Sequence, residues 1–328
     1  MRTSILGRTG ATVSSIGLGT WQLGADWGDV SEEDARAVLD AAVESGVTIF
    51  DTADVYGDGR SEQLIGRYLH DRPELDVFVA TKMGRRLPQE PENYSAENFD
   101  AWTRRSLDNL GVDTLDLLQL HCPPTAVYSI DRVFDDLDAL VEQGRMRHYG
   151  VSVERVDEAL AAIARPNVAS VQIIVNAFRL KPLDEVLPAA QAAGVGIIAR
   201  VPLASGLLSG RYTRDTTFAA DDHRTYNRQG EAFDVGETFS GVDYATGVEA
   251  AQRFSALAAE HDLAPATAAL AWLAQLPGVS TVIPGARSPE QARANAAAGE
   301  VADLPLSFHE SVVALYDEYF RATIHERW

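Results

Sequence analysis

LDLLQLHCPPTAVYSIDRVFDDLDALVEQGRMRHYGV, residues Leu115–Val151, holds the repeating unit from which the fold can be read. Its ends, Leu115–Leu120 and Met146–Val151, are short runs with the length and apolar content of buried strands. Between them Ile130, Val133, Phe134, Leu137, Leu140 and Val141 recur at helical spacing and share one face, while Asp131, Asp135, Asp136 and Asp138 take the other. Strand, helix and strand in that order lay two parallel strands side by side.

The same alternation runs almost from end to end. Six further strands are predicted at Ile16–Gly19, Val47–Phe50, Val77–Thr81, Val168–Ile174, Val195–Ala199 and Val279–Ile283, which makes eight. Ser31, Ser95 and Ser288 each stand where a helix N-cap is wanted, and Pro289 falls at the tolerated first position. Eight strands with intervening helices and no break in composition predict an α/β fold, a closed (β/α)8 TIM barrel forming one domain over residues 1–328. An open doubly wound sheet is the competitor, but no G-x-G-x-x-G follows the first strand. Three stretches fall outside the repeat. Residues 3–14 read as a hairpin turning at Arg8-Thr9-Gly10, suited to plug the N-terminal mouth, and residues 211–247 read as a long functional loop after strand seven. A helical stretch around Pro305–Phe320 ends the chain.

Composition removes several classes of function. Across 328 residues, 28 Lys and Arg face 48 Asp and Glu, a net charge of −20, which disfavours non-specific binding to nucleic acid or anionic membrane. Cys122 is the only cysteine, no leader-like segment opens the chain and no apolar run reaches bilayer length, so a cytoplasmic location is expected. Seven histidines are scattered and only His121 falls at a strand's carboxyl end, so a metal-dependent hydrolase is disfavoured and no metal is expected.

In barrels of this kind the chemistry sits at the carboxyl ends of the strands. Strand two runs into Asp51-Thr52-Ala53-Asp54-Val55-Tyr56-Gly57, strand three into Lys82-Met83-Gly84 and strand four into His121-Cys122-Pro123-Pro124. Asp51, Tyr56, Lys82 and His121 therefore converge on one rim. A phenol is a poor acid at neutral pH, but an ammonium about 4 Å away lowers its pKa by up to about three units at an effective dielectric near 20. Lys82 is thus expected to activate Tyr56, Asp51 to hold Lys82 charged, and His121 to orient a carbonyl oxygen or help move the proton. The group lacks a nucleophile and suits protonation of an oxygen that gains negative charge. A second enzyme class would use Lys82 as a Schiff-base amine.

At these motifs the chain resembles the aldo-keto reductases, and looks closest to their bacterial general-stress-type branch. The likeness runs through Gly19-Thr20-Trp21, Phe50–Gly57, Ala80-Thr81-Lys82, Leu118–His121, Gly150-Val151-Ser152, Pro202–Leu208 and Ile283–Ala286. It implies hydride transfer from NADPH to an aldehyde or ketone, with NADH as a weaker donor, and Tyr56, Lys82, Asp51 and His121 as the catalytic group. It also implies cofactor contacts. Thr20, Trp21 and Asp51 match the nicotinamide ribose side, and Ser152 and Gln172 the carboxamide. Pro202, Leu203, Ser205, Gly206, Leu207, Ser209 and Arg211 match the loop over the pyrophosphate, while Gly285, Arg287, Gln291 and Asn295 match the adenine end. Arg287, with Ser288 at a helix start, is placed to grip a 2′-phosphate. Two departures stand out. Val153 replaces the family's usual Asn, and Arg200 stands where many members stack an aromatic ring on the nicotinamide; a guanidinium can stack as well.

A small-molecule carbonyl substrate, and a monomer or small homo-oligomer, complete the expectation. The alternative outside catalysis is an NADPH-binding sensing or regulatory subunit, as in the resembling potassium-channel β subunits. Trp21, Trp27, Tyr56, Met83 and Trp102 are candidates for an apolar pocket, and Arg85 and Arg86 for either a solvated rim or contact with an acidic substrate.

Overall fold

A computed structural model describes residues 1–24 and 30–328, so Trp27 lies outside the described residues. Strands β1 (Thr3–Ile5) and β2 (Thr12–Ser14) pair antiparallel. Strands β3 (Leu18–Gly19), β4 (Ile49–Asp51), β5 (Phe78–Met83), β6 (Leu115–His121), β7 (Met146–Ser152), β8 (Val168–Ile174), β9 (Gly196–Arg200) and β10 (Val279–Val282) form one sheet, each parallel to the next. The sheet closes on itself. Gly17 N–H donates to Val282 O at 2.8 Å, Gly19 N–H to Pro284 O at 3.0 Å, and Val282 N–H returns to Ser15 O at 3.0 Å. Helices connect the successive strands, as the alternation predicts, and the result is a (β/α)8 barrel.

The hairpin covers the N-terminal mouth. Leu6 and Val13 pack against Ile49, Ala80, Leu117, Ile198 and Ile283 inside the barrel. Arg8 donates from Nη1 to Arg165 O at 2.9 Å and Val168 O at 2.8 Å, and from Nη2 to Ala193 O at 2.9 Å. These carbonyls flank β8 and β9, so one side chain ties the plug to both strands.

Several strands run further towards the carboxyl end than their apolar runs suggest. β4 ends on Asp51, β6 on His121, β7 on Ser152 and β9 on Arg200. The ladder joins backbones regardless of side chain, pairing Lys82 with Gln119, His121 with Ser152, Ser152 with Gln172 and Ile174 with Arg200. Polar residues that read as loop starts are thereby held by two neighbouring strands. The long excursion after β9 is shorter than predicted and stops at Asp243 rather than Gly247. Asp243 Oδ1 accepts from Thr246 N–H at 2.9 Å and opens the helix Tyr244–Ala259, whose polar first turn reads as loop. Trp102 packs edge-on against Tyr94 and tilted against Phe99 in the buried layer outside β5, and is a core residue rather than a pocket wall.

Below Tyr56, two carboxyl groups are buried together. Glu62 accepts from Thr81 Oγ1 at 2.6 Å and from Asn109 Nδ2 at 2.8 Å. Asp54 is fully buried and neither of its oxygens has a hydrogen-bond partner among the described residues. Burial, and then the nearby Glu62 carboxylate, push Asp54 up from 3.8 to about 7 against the pull of Arg86 and Arg105. The folded state therefore holds a proton that the unfolded chain releases near pH 4, and stability falls as pH rises from about 4 to about 7. The difference corresponds to about 4 kcal/mol at most. Asp54→Asn keeps the shape without the titration. It should unfold at a higher temperature than the parent at pH 8 and at nearly the same temperature at pH 4.5, read by scanning calorimetry; an equal difference at both pH values would refute the buried proton.

Candidate active site

The carboxyl ends of β4, β5 and β6 bring Asp51, Lys82 and His121 onto one rim, with Tyr56 in the turn after β4. Tyr56 is seated by backbone crowding. Gly57 has a φ of 58°, and a β-carbon there would lie 1.9 Å from Gly24 O, so only glycine lets the two segments meet beside the tyrosine. The Tyr56 ring stacks on Trp21 at 6.2 Å between centroids and meets His121 edge-on at 6.0 Å.

Lys82 Nζ donates to Asp51 Oδ1 at 2.5 Å, to Thr52 O at 2.8 Å and to Tyr56 Oη at 3.4 Å. Burial works against the ammonium, but Asp51 and Tyr56 outweigh it and Lys82 is held above its ordinary value. The predicted contact between Lys82 and Tyr56 is present and Lys82 does act to lower the phenol, but the expected net lowering is not found. Burial lifts the Tyr56 phenol more than Lys82 lowers it, so the hydroxyl titrates above 10.0 in this structure. Asp51, 2.5 Å from the ammonium, offsets much of the charge that the phenol would otherwise feel.

His121 is driven well below 6.5, first by burial and then by Arg85, Lys82 and Arg200. It is therefore a neutral imidazole, a hydrogen-bonding group rather than a proton store. Its Nδ1 is buried with no partner among the described residues.

Asp51 has a second set of neighbours. Its Oδ2 accepts from Gln172 Nε2 at 2.7 Å and from Gln119 Nε2 at 3.4 Å. Gln119 is absent from the sequence-based list. It lies two residues before His121 and so shares its face of β6, which is the signal that could have found it. Thr20 joins the cluster, since both its N–H and its Oγ1 donate to Asp51 O at 2.9 Å.

The remaining candidates fall into three groups. Ser152 ends β7 beside Gln172 of β8, and its Oγ accepts from Cys122 Sγ at 3.4 Å. Pro202, Leu203, Ser205, Gly206, Leu207 and Ser209 form a tight turn after β9 that leads to the exposed Arg211. In it Ala204, Ser205 and Gly206 all have positive φ, at 47°, 54° and 96°. Non-glycine residues in that region cost about 1–3 kcal/mol each and persist where a function holds them. The Ser205 hydroxyl is already engaged, donating to Glu237 O and accepting from Phe239 N–H, each at 2.9 Å. Beyond β10, Arg287 N–H donates to Gln291 Oε1 at 2.8 Å and Asn295 Nδ2 to Gly285 O at 3.1 Å. Ser288 caps the helix Pro289–Ala297 beside them.

Arg200 sits differently from a stacking partner waiting for a ring. Its Nη2 donates to Val153 O at 3.0 Å and Glu154 Oε2 at 2.9 Å, and its Nη1 pairs with Glu237 of the long loop. Both terminal nitrogens of the guanidinium are committed, while Nε is buried with no partner among the described residues. Val153 in turn is wholly buried and serves Arg200 through its carbonyl. The guanidinium occupies the space among Cys122, Glu154 and Glu237, three groups close enough to gather on a cation. Burial foremost, with the Glu154 carboxylate next, pushes the Cys122 thiol up to about 12, so it is no nucleophile at neutral pH.

Among the described residues no helix is long and apolar enough to cross a membrane. The family model described as "Aldo/keto reductase family" matches residues 15–317. An uncharacterized oxidoreductase of Mycobacterium bovis is 34% identical over 88% of this chain and 85% of its own. A Schizosaccharomyces pombe protein named as an NADP(+) aldo-keto reductase is 29% identical over 80% of this chain and 76% of its own. The solved holo form of an aldo-keto reductase from Bacillus halodurans superposes with a TM-score of 0.79 at 27% identity, covering 96% of both chains. With the barrel and the rim of Asp51, Tyr56, Lys82 and His121 in place, this extent of agreement shows that the chain belongs to the aldo/keto reductase family.

Proposed function

We propose that this chain reduces aldehydes or ketones to alcohols, taking hydride from NADPH, with Tyr56 as the general acid. The observation that carries the reading is the Tyr56 hydroxyl, 3.4 Å from a buried ammonium and beside a neutral His121. Such a pair receives an oxygen at the moment it gains negative charge.

The residues present suit NADPH. Ser152 and Gln172 supply a hydroxyl and an amide at adjoining strand ends, and Gln172 would exchange its bond to Asp51 for one to a carboxamide. The strained turn at 204–206 supports close approach of a diphosphate to backbone. Arg287 and the capped start of the helix Pro289–Ala297 suit a 2′-phosphate. The fission-yeast relative's name points to the same cofactor. When bound, it supplies the hydride. Lys82 keeps the Tyr56 proton placed and stabilises the phenolate left behind, Asp51 keeps Lys82 charged, and His121 offers a neutral hydrogen bond to the substrate oxygen. A Schiff-base reading of Lys82 is disfavoured, since a nucleophilic amine must be neutral and Asp51 holds this one as ammonium.

Consumption of NADPH with a panel of aldehydes and ketones tests the reading; binding without turnover would favour the regulatory alternative. Tyr56→Phe should lower turnover by about a hundredfold or more with the NADPH Kd nearly unchanged, because only the hydroxyl is lost.

The pH dependence follows from the raised phenol. Reduction needs the protonated form and should stay level from about pH 6 to 9, whereas alcohol oxidation needs the phenolate and should rise over that range. Lys82→Met removes the group that lowers the phenol and should therefore impair oxidation more than reduction. Equal loss in both directions would contradict the coupling.

Cofactor choice is assigned to Arg287. A charge-assisted contact to phosphate is worth about 1.5–3 kcal/mol, so NADPH should bind at least about tenfold tighter than NADH. Arg287→Ala should nearly abolish that preference in fluorescence titrations of both dinucleotides. A preference that survives in the variant would remove Arg287 from the role.

A further inference from the structure

The two arginines after β5 part company. Arg86 Nη1 pairs with the exposed Asp58 at 2.6 Å, a carboxylate that Arg105 shares. Arg85 turns in. It follows Gly84, whose φ of 118° redirects the chain and whose added β-carbon would crowd the Tyr94 ring at 3.1 Å.

Arg85 Nε donates to His121 O at 3.2 Å, and Nη2 reaches Glu154 Oε1 at a long 3.5 Å. The other oxygen of that carboxylate is held by Arg200 at 2.9 Å, so Glu154 is committed elsewhere. A guanidinium carries five N–H donors, and two bonds leave three of them without a partner among the described residues. The side chain remains 26% exposed, against 9% for Arg200.

Its position matters more than its charge. The carbonyl that Arg85 grips belongs to His121, whose ring stands edge-on to Tyr56. Arg85 is thereby fixed at the end of β6 that carries the His121 ring. The cation is also close enough to help keep the imidazole neutral. On a chain with a net charge of −20, diffuse attraction cannot bring an anion here, and a local fork of donors is required.

We infer that Arg85 forms a subsite for an oxyanion carried by the substrate, so that the preferred carbonyl compounds are short ones bearing a carboxylate or a phosphate near the reacting carbon. The incoming oxyanion exchanges the long contact with Glu154 for paired donors, while Glu154 stays with Arg200. This rests on the carbonyl-reductase reading and narrows its substrate class.

The test compares matched substrates with NADPH in the parent, Arg85→Gln and Arg85→Lys. Succinic semialdehyde is set against butanal for a carboxylate, and glyceraldehyde phosphate against glyceraldehyde for a phosphate. The parent should favour the anionic member of at least one pair by about tenfold or more in kcat/KM, and the pair that shows it names the oxyanion. Arg85→Gln should reduce that ratio about tenfold, chiefly through KM, and Arg85→Lys should restore part of it. High salt should narrow the gap between the parent's ratio and that of Arg85→Gln. If neutral aldehydes turn over with no anionic preference, or if Arg85→Gln slows both members alike, the subsite is refuted and the reductase reading stands. If no carbonyl turns over, the reductase reading falls and this inference falls with it.

Discussion

Hydrogen bonds from Gly17 and Gly19 to Val282 and Pro284 close eight parallel strands into a ring, and everything at the site depends on that closure. An open parallel sheet leaves two edges and spreads its strand ends along a line. A ring brings all eight carboxyl ends to one mouth, so residues as distant in sequence as Asp51 and Gln172 stand 2.7 Å apart. The hairpin plug supplies the other half of the constraint. It fills the amino end with Leu6 and Val13, leaving the opposite end as the place where polar side chains collect.

At that end the protein buries charges, and burial is costly unless each charge is answered. Lys82 and Asp51 answer each other at 2.5 Å, and Thr52, Gln119 and Gln172 satisfy what remains of the pair. The arrangement has a chemical price. An ammonium so well matched lowers its neighbour's pKa less than an isolated one, and the phenol stays protonated. His121 is neutral for a related reason, being desolvated and ringed by cations. The site thus holds a placed proton on Tyr56 and a neutral donor on His121, which suits acid catalysis better than storage of charge.

Arg200 and Glu237 extend the same logic to the long loop. Glu237 lies in the excursion after β9, and its buried pairing with Arg200 fastens that excursion to the barrel mouth. Ser205 adds a second fastening through Glu237 O and Phe239 N–H. The turn of positive φ at Ala204 and Ser205 is held between them, and that support lets strained backbone persist.

The barrel was legible in the sequence because strand and helix periods repeat locally, and the four residues of the rim because strand ends are local too. Asp51, Tyr56, Lys82 and His121 each follow an apolar run, so their rim could be placed without coordinates. Partners contributed by different strands and loops were not legible. Nothing local to Arg200 announces Glu154 and Glu237, nothing near Asp54 announces a buried Glu62 beside it, and nothing in the adjacent pair announces that Arg85 meets Glu154 while Arg86 meets Asp58. Chemical identity and period are properties of neighbours along the chain, so the sequence by itself determined the fold class and which groups reach the mouth. Protonation and pairing depend on burial and on charges that only closure of the ring brings within a few ångströms, and the tertiary structure alone decided those.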